Sequence, residues 1–320
     1  MTRLFSFFVT IIFVFNQNLN ANENYSKVCH YYCTAANSDF FHILMGLIGS
    51  IHKVDFDSLD EIAVFDIGLT LEQRKTIQSI EKTNVYQIEK INPDLFTKFK
   101  TNPAGRTLPG WQTWKPILIK QALEMFPYFL YLDAGTLVIS STDNLFKHIK
   151  QNGYFLLHVA PHNLVNSITK PVVDKLLSTF SREQKEFILN KNTSMLDSGI
   201  QGISKKIYGS YVLPVYKLVN DLSLFADDGS ALLGFGYGRH EQTLYSIFAH
   251  IGKLDLNSQG WSQIKVDGKN VAFHLHYHPS EITNKTCIYH SRSDYQFGGD
   301  KKPFIHWKNP SLHTDKNNKE

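Results

Sequence analysis

The sequence runs to 320 residues and 36.7 kDa, enough for one large domain or two modest ones with a substantial core. Hydrophobic residues at 42% and charged residues at 19% exclude a disordered chain and a coiled coil. Lys and Arg outnumber Asp and Glu by only 33 to 29, with no basic block before the last twenty residues, so nothing points to a nucleic-acid partner; three cysteines cannot form a disulfide framework.

Residues 1–21 read as a targeting segment rather than as fold. Arg3 supplies one positive charge, and LFSFFVTIIFVF at 4–15 is a twelve-residue apolar run. A bilayer span needs about 20 residues, whereas a signal-peptide core is this short. A cleaved secretory signal, a short uncleaved anchor and a buried strand are all open, and a membrane enters only with the second. The folded domain is expected over 26–308 and a disordered polar tail over 309–320. Asn24, Asn192 and Asn284 each begin an N-glycosylation triplet, which agrees with the secretory pathway; a bacterial source would make the compartment the periplasm. Cys29 and Cys33 stand about 13 Å apart along one expected strand and cannot bond to each other. Either one of them pairs with Cys287, or all three are buried thiols.

In chain order, residues 28–36 (VCHYYCTAA) read as a strand that Asn37, Ser38 and Asp39 end. Residues 40–53 carry apolar side chains at helical spacing behind a Ser38 or Asp39 cap. A short buried strand at 62–65 ends at Asp66, a helix follows at 71–80, and another strand at 85–88. A helix is expected over 111–126 with Pro116 in its first turn. The strand at 128–132 ends in Asp133-Ala134-Gly135, and 153–159 is one more strand. Beyond Asn163 the pattern loosens: 170–190 reads as two helices, the second opened by a Ser181 and Gln184 capping box, 208–225 is mixed, and 239–251 is helical. This alternation predicts an α/β fold with a mainly parallel sheet covered on both faces. Ligands of such sheets sit beyond the carboxyl ends of the strands, where Asn37, Asp66 and Asp133 stand.

Asp133 is the strongest candidate for chemistry. Its carboxylate follows YFLYL at the mouth of a buried strand, with Ala134 and Gly135 leaving room beside it. Mg2+ and Mn2+ favour carboxylate oxygens combined with substrate phosphates; a plain strand-end cap is the alternative.

Taken together, Trp114-Lys115, FLYLDAGTLV at 129–138 and Asp143-Asn144-Leu145-Phe146 resemble the glycogenin-like branch of the GT-A glycosyltransferases. In that family a Lys precedes the helix, an Asp-x-Asp follows the strand, and an Asp-x-Leu-Phe comes next. Thr34-Ala35-Ala36-Asn37 is similar to the family's Thr-x-Asn stretch, and Asp197-Ser198-Gly199-Ile200 to its Asn-Ser-Gly acceptor-side loop. His240-Glu241-Gln242-Thr243-Leu244 resembles its Asp-Gln-x-x-Leu helix start, and His290 with Lys302-Pro303-Phe304 its closing His and Lys-Pro-Trp. The resemblance spans 28–304 and implies a single GT-A domain, Rossmann-like, with helices flanking a mainly parallel sheet. It further implies transfer of a hexose from a nucleotide-diphosphate sugar to a hydroxyl of a glycan, lipid or protein acceptor. Lys115 and Lys302 would face the diphosphate, with Asn37, Asp66, Asp133 and Gly135 also on the donor side. Ser198 and Gly199 would lie on the acceptor side, and Asp197, Glu241 and Gln242 near the transferring sugar. Asp133 and His290 would hold Mn2+ or Mg2+, with His276 as the alternative to His290.

Two positions depart from the family pattern. Gly135 replaces the second acid of Asp-x-Asp, and Glu241 replaces an Asp. Either one carboxylate and one His hold the metal, or Lys115, Lys302 and Arg292 neutralise the diphosphate with no metal.

Other clusters offer other readings. His274, His276 and His278 alternate within FHLHYHP and, with Glu281 and His290, offer a zinc site. They span about 13 Å, so at most two adjacent ones reach one ion. GFGYG at 234–238 lacks the GxGxxG spacing and reads as an acceptor-side loop. Asp227 and Asp228 are either functional carboxylates or a solvated turn, and Trp111 and Trp114 either stack on a ligand or fill the core. The familiar hydrolase signatures are absent. Two other functions are therefore weighed: a GT-A domain that binds sugars or nucleotides without turnover, and a metal-dependent phosphoesterase on Asp133 and the His cluster.

Overall fold

The first strand sets the plan of the molecule. β1 (His30–Ala36) sends Cys33 and Ala35 into one hydrophobic layer and Tyr32 and Ala36 into the other, because side chains alternate along a strand. A strand buried on both faces needs helices or a second sheet on each side. The computed structural model describes residues 28–100, 107–231, 238–258, 260–290 and 303–309. The targeting segment at 1–21, Arg292, Lys302 and 310–320 of the expected tail lie outside these.

After β1 come α1 (Phe41–Asp55), β2 (Leu59–Asp66), α2 (Leu71–Gln78), β3 (Thr83–Gln87) and a small antiparallel pair, β4 (Lys98–Lys100) and β5 (Thr107–Pro109). Then follow α3 (Trp114–Met125), β6 (Tyr128–Leu132), β7 (Thr136–Val138), α4 (Asp143–Asn152), β8 (Tyr154–Asn163), α5 (Arg182–Ile188) and β9 (Ser194–Ser204). The rest comprises α6 (Leu213–Tyr216), α7 (His240–Ile251), β10 (Asn257–Ser258), β11 (Gly260–Val266), β12 (Lys269–His276) and β13 (Ile288–His290). The central sheet has the order β10-β8-β9-β6-β1-β2-β3, and a second sheet has the order β11-β12-β13-β7. β6, β1, β2 and β3 are mutually parallel, while β9 runs antiparallel between β6 and β8. This is the expected α/β architecture, a mixed and mainly parallel sheet flanked by helices.

α1 buries Leu44, Leu47, Ile48 and Ile51, the spacing of one helix face, against Tyr32 and Ala36. The second sheet covers the same layer with Ile264, Phe273, Leu275 and Ile288. α3 and α7 cover the opposite layer with Ile117, Leu118, Leu244 and Ile247.

Local chemistry accounts for the boundaries. Asn37, rather than Ser38 or Asp39, is the cap: its Oδ1 accepts the N–H groups of Asp39 at 3.1 Å and Phe40 at 3.2 Å, over a short 3-10 turn before α1. Ser181 and Gln184 form the predicted capping box, and Thr70 and Gln73 form another at α2. The helix expected from residue 111 begins at Trp114, because Trp111 and Gln112 stand at φ of 50° and 66°. The first of the two helices expected in 170–190 is a π turn at Val172–Leu176 followed by a 3-10 turn at Leu177–Thr179. No disulfide joins Cys29, Cys33 and Cys287; the latter two thiols are buried.

Candidate active site at the seam of the two sheets

β6 ends at Leu132, the chain turns tightly through Asp133 to Thr136, and β7 then enters the second sheet. The Thr136 N–H closes this turn on the Asp133 carbonyl at 2.9 Å, with Gly135 inside it. Asp133 thus stands where the sheets part. Strand order also reverses here, since β2 and β3 lie to one side of β1 and β6 to the other. Such a switch point leaves a crevice at the carboxyl ends of the strands.

β9 runs beside β6 with Ile200 opposite Leu132, and the Asp133 N–H donates to the Gly199 carbonyl at 2.8 Å. The stretch Asp197-Ser198-Gly199 is therefore part of a central strand, a correction to the expected loop. β13 brings His290 from the second sheet, opposite Thr136 of β7, and His290 Nδ1 lies 3.3 Å from the Thr136 hydroxyl. Gly199 is the meeting point. A Cβ on it would lie 2.8 Å from Asp133 Oδ2, 2.8 Å from His290 Cε1 and 3.2 Å from Asp197 Oδ1.

Beneath this trio lies Lys115, on the first turn of α3 and only 3% exposed. Its ammonium donates to Asp133 Oδ1 at 3.0 Å and to the Ser198 carbonyl at 3.3 Å, and pairs with Glu241 Oε1 at 3.1 Å. Three acceptors match the three hydrogens of an ammonium, so Lys115 is a strut between carboxylates in this state. Glu241, at the start of α7, also accepts the Ser198 hydroxyl at 3.0 Å. Tyr131 donates its hydroxyl to Asp133 Oδ1 at 2.6 Å. Asp197 Oδ1 accepts the Gly199 N–H at 2.8 Å, and the Tyr277 hydroxyl donates to Asp197 Oδ2.

The charges hold one another in place. Burial alone would push the Lys115 ammonium down, but the carboxylates of Asp133 and Glu241 outweigh it and hold its pKa above the ordinary lysine value. Burial would raise the Asp133 carboxyl, yet the charges of Lys115 and His290 and the Tyr131 hydrogen bond hold it below the ordinary 3.8. Asp133 nonetheless keeps 38% of its side-chain surface exposed, so the carboxylate faces the crevice.

The other candidates fall into place around this cluster. Gln242 donates to the Leu196 carbonyl at 2.6 Å and accepts from Arg239 Nε at 3.3 Å, bracing β9. Asp66 accepts the N–H groups of Gly68 and Leu69, each at 2.8 Å, and pairs with Arg74 at 2.6 Å; no described contact joins it or Asn37 to Asp133. His276 lies 3.6 Å from Glu281 and stacks near His274 at 6.3 Å between ring centroids. Trp111 and Trp114 are buried in the core, Trp111 stacking between Phe99 and His240. Asp228 accepts from Ser230 within a turn. A cavity of about 280 Å³ between Lys170, Asp174, Lys175 and Asp228 contains none of the clustered side chains. Its Lys175 is already spent on Asp221 and Ser223, so the crevice at Asp133, where charge converges and a carboxylate is open, is the better candidate.

Sequence reasoning missed Tyr131, which reads as one more core aromatic of YFLYL, and Tyr277, hidden among histidines. Among the described residues no three His, Cys, Asp or Glu side chains are grouped so as to hold a metal ion between them. Asp133 Oδ2 and His290 Cε1 both face the bare side of Gly199; one carboxylate and one imidazole are donor types that suit an ion also held by two phosphate oxygens.

No known family profile and no curated protein matches the sequence. Solved structures of similar arrangement include the galactosyltransferase LgtC, at 13% identity over 83% of this chain and 88% of that one, with a TM-score of 0.44. They also include core-mannan synthase A of Aspergillus fumigatus in its Mn/GDP form, at 12% identity over 72% and 71% of the two chains, with a TM-score of 0.45. Mouse xyloside xylosyltransferase 1 is similar at 7% identity over 83% and 98%, with a TM-score of 0.46. At such values the case for chemistry rests on the residues of the crevice.

Proposed function

We propose that this protein is a glycosyltransferase that moves a hexose from a nucleotide-diphosphate sugar to a hydroxyl, with its donor site at the Asp133 crevice. The observation that carries the reading is the buried Lys115 strut, which fixes Asp133 and Glu241 at the switch point of the sheet. The ordered sequence resemblance from 28 to 304, in the glycogenin-like pattern, agrees with it. The leaving nucleoside diphosphate gains negative charge in the transition state, so fixed positive charge must meet it. Mn2+ or Mg2+, when bound by Asp133 and His290, would supply that charge.

The chain's own residues have separate tasks. Lys115 keeps Asp133 ionised and aimed at the crevice. Ser198 and Lys115 together orient Glu241, whose carboxylate would support positive charge developing on the sugar. Gln242 and Tyr277 hold the Leu196-Asp197 stretch of β9, beside which the acceptor would rest. Holding donor and acceptor in register lowers the barrier by converting an encounter into a single bound event.

Calorimetry with UDP and with GDP, each in Mn2+ and in EDTA, tests the donor site. We expect one nucleotide to bind, with Asp133→Ala abolishing the binding. A folded protein that binds neither nucleotide in either condition would contradict the reading. Binding without hexose transfer from any donor would favour a non-catalytic binding module, the reading suggested by Gly135.

We place the protein in a secretory lumen on the strength of the apolar run at 4–15 and of Asn192 and Asn284, both exposed. Enzymatic removal of N-glycans from the expressed protein should then increase its mobility on a gel; unchanged mobility would count against this placement.

A further inference from the structure

We infer that Tyr277 is a positioning residue that holds Asp197 to read the hydroxyls of the donor hexose. The inference rests on the proposed donor site and deepens it, from the nucleotide to the sugar.

Three observations carry it. First, β9 bulges at Asp197. Between paired positions β8 advances two residues, from Leu156 to His158, while β9 advances five, from Gln201 to Leu196. A bulge re-aims side chains out of the regular ladder and is common beside active sites. Inside this one Asp197 Oδ1 accepts the Gly199 N–H at 2.8 Å, and the Ser198 carbonyl turns to Lys115 at 3.3 Å and to Gln201 Nε2 at 3.0 Å. Second, Asp197 meets Asp133 over Gly199. A Cβ there would lie 3.2 Å from Asp197 Oδ1 and 2.8 Å from Asp133 Oδ2. With the diphosphate at Asp133, the sugar joined to it comes within reach of Asp197, and the missing side chain of Gly199 leaves it room. Glu241 Oε1 and Gln242, also expected near the sugar, are tied to Lys115 and Ser198 and to Leu196 and Arg239. Third, the Tyr277 hydroxyl donates to Asp197 Oδ2. Tyr277 directly follows β12 and its ring lies 5.5 Å from that of His290, so it reaches from the second sheet to the central one.

The chemistry suits a polyhydroxyl ligand. A carboxylate offers about four acceptor sites, of which the Gly199 N–H and the Tyr277 hydroxyl take one each. The others can accept sugar hydroxyls in charge-assisted bonds, stronger than neutral ones. Asp197 is only 6% exposed, so a hydroxyl that reaches it leaves water behind. A hexose with no hydroxyl in that place leaves a buried acceptor unmatched, which is the strong form of discrimination. Without the Tyr277 hydroxyl the carboxylate is free to turn about its own side-chain bonds, and a misplacement of about 1 Å is costly in such a site.

The test is calorimetric binding to the full chain, with Mn2+ and without acceptor, of UDP, GDP, UDP-glucose, UDP-galactose, GDP-glucose and GDP-mannose. Wild type is compared with Tyr277→Phe, which keeps the ring beside His290 and removes only the hydroxyl; thermal midpoints check folding. We expect the tightest nucleotide-hexose to weaken at least tenfold in the variant, the preference between its two hexoses to narrow, and the bare nucleotide to stay within twofold. A merely structural role would weaken nucleotide and conjugate together. Asp197→Asn, which keeps an acceptor for the Gly199 N–H, should show the same split and carries the test if Tyr277→Phe does not fold. Unchanged affinity for every conjugate in the folded variant, or equal loss for nucleotide and conjugate, would overturn the inference and leave the donor site standing. A folded wild type that binds neither nucleotide nor conjugate would overturn the donor site and the inference with it.

Discussion

Lys115 and Glu241 meet at 3.1 Å with side chains only 3% and 5% exposed, one from the first turn of α3 and the other from the first turn of α7. A buried ion pair adds little stability over an apolar pair, but removing one partner leaves an uncompensated charge. Lys115→Met should therefore cost about 3–5 kcal/mol in urea unfolding. Combining it with Glu241→Gln should return part of that loss. A single variant within 1 kcal/mol of the wild type, on the order of an exposed pair, would show that the strut is not sealed.

The pH dependence of the same cluster has two limbs. The folded pKa of Asp133 lies below its ordinary 3.8, so its contribution is present above that value and is lost as pH falls through the lowered one. The folded pKa of Lys115 lies above its ordinary 10.5, so its contribution is full below 10.5 and fades as pH rises through the raised value. Unfolding measured from pH 2 to pH 12 should show both losses. Lys115→Met should flatten the alkaline limb, and an unchanged alkaline limb would refute the assignment.

A second acid-sensitive point lies at the C-terminal strap. His306 donates its N–H to His52 Nδ1 at 3.0 Å, Lys308 N–H reaches the Ser79 carbonyl at 2.8 Å, and Pro303 packs on Gly49 of α1. Burial, with the neighbouring charge of His306, lowers the His52 pKa from 6.5 to about 4. Between these values the unfolded chain carries a proton that the fold excludes, so stability falls as pH drops from 6.5 to about 4. A shift of this size is worth about 3 kcal/mol. Urea titrations at pH 7 and pH 4.5 should show the loss in the wild type but not in His52→Gln. Equal losses in the two proteins would place the sensitive group elsewhere.

Two glycines in β9 predict different failures. At Gly199 a Cβ would meet the ends of Asp133 and His290, whereas at Gly202 it would meet Ile149 and the Phe155 Cβ within 2.9 Å. Gly202→Ala should destabilise by about 1–3 kcal/mol through overpacking while the folded fraction keeps nucleotide binding. Gly199→Ala should lose nucleotide binding at least tenfold in molecules that remain folded. Calorimetry alongside thermal melts separates the two, and the opposite pattern would contradict the placement of the site.

The physical character of each element decided how legible it was. β1, β2 and β6 announce themselves as apolar runs ended by Asn37, Asp66 and Asp133, and α1 by its spacing of buried residues. β9 is equally buried but hides, because SMLDSGIQGIS places polar residues and two glycines in a central strand. Those polar groups are tolerable only because distant side chains satisfy them: Tyr277 serves Asp197, Glu241 serves Ser198, and the Tyr211 hydroxyl reaches Gln201 at 2.5 Å. No local pattern reports such partners. Asp133 was legible from its strand, whereas the resemblance placed Lys115 at the diphosphate and Glu241 near the sugar, and their direct pairing joins elements far apart in sequence that no local pattern connects. Lys302 and Arg292, expected near the diphosphate, lie outside the described residues and stay with the proposal.

The most direct test of the transferase reading is release of nucleoside diphosphate from a panel of UDP- and GDP-hexoses with Mn2+ present, comparing wild type with Asp133→Asn. The account predicts release from at least one donor, raised by an acceptor sugar and reduced at least a hundredfold in the variant. Release equal in both proteins, or no release from any donor by a folded protein that hydrolyses simple phosphate esters, would contradict it.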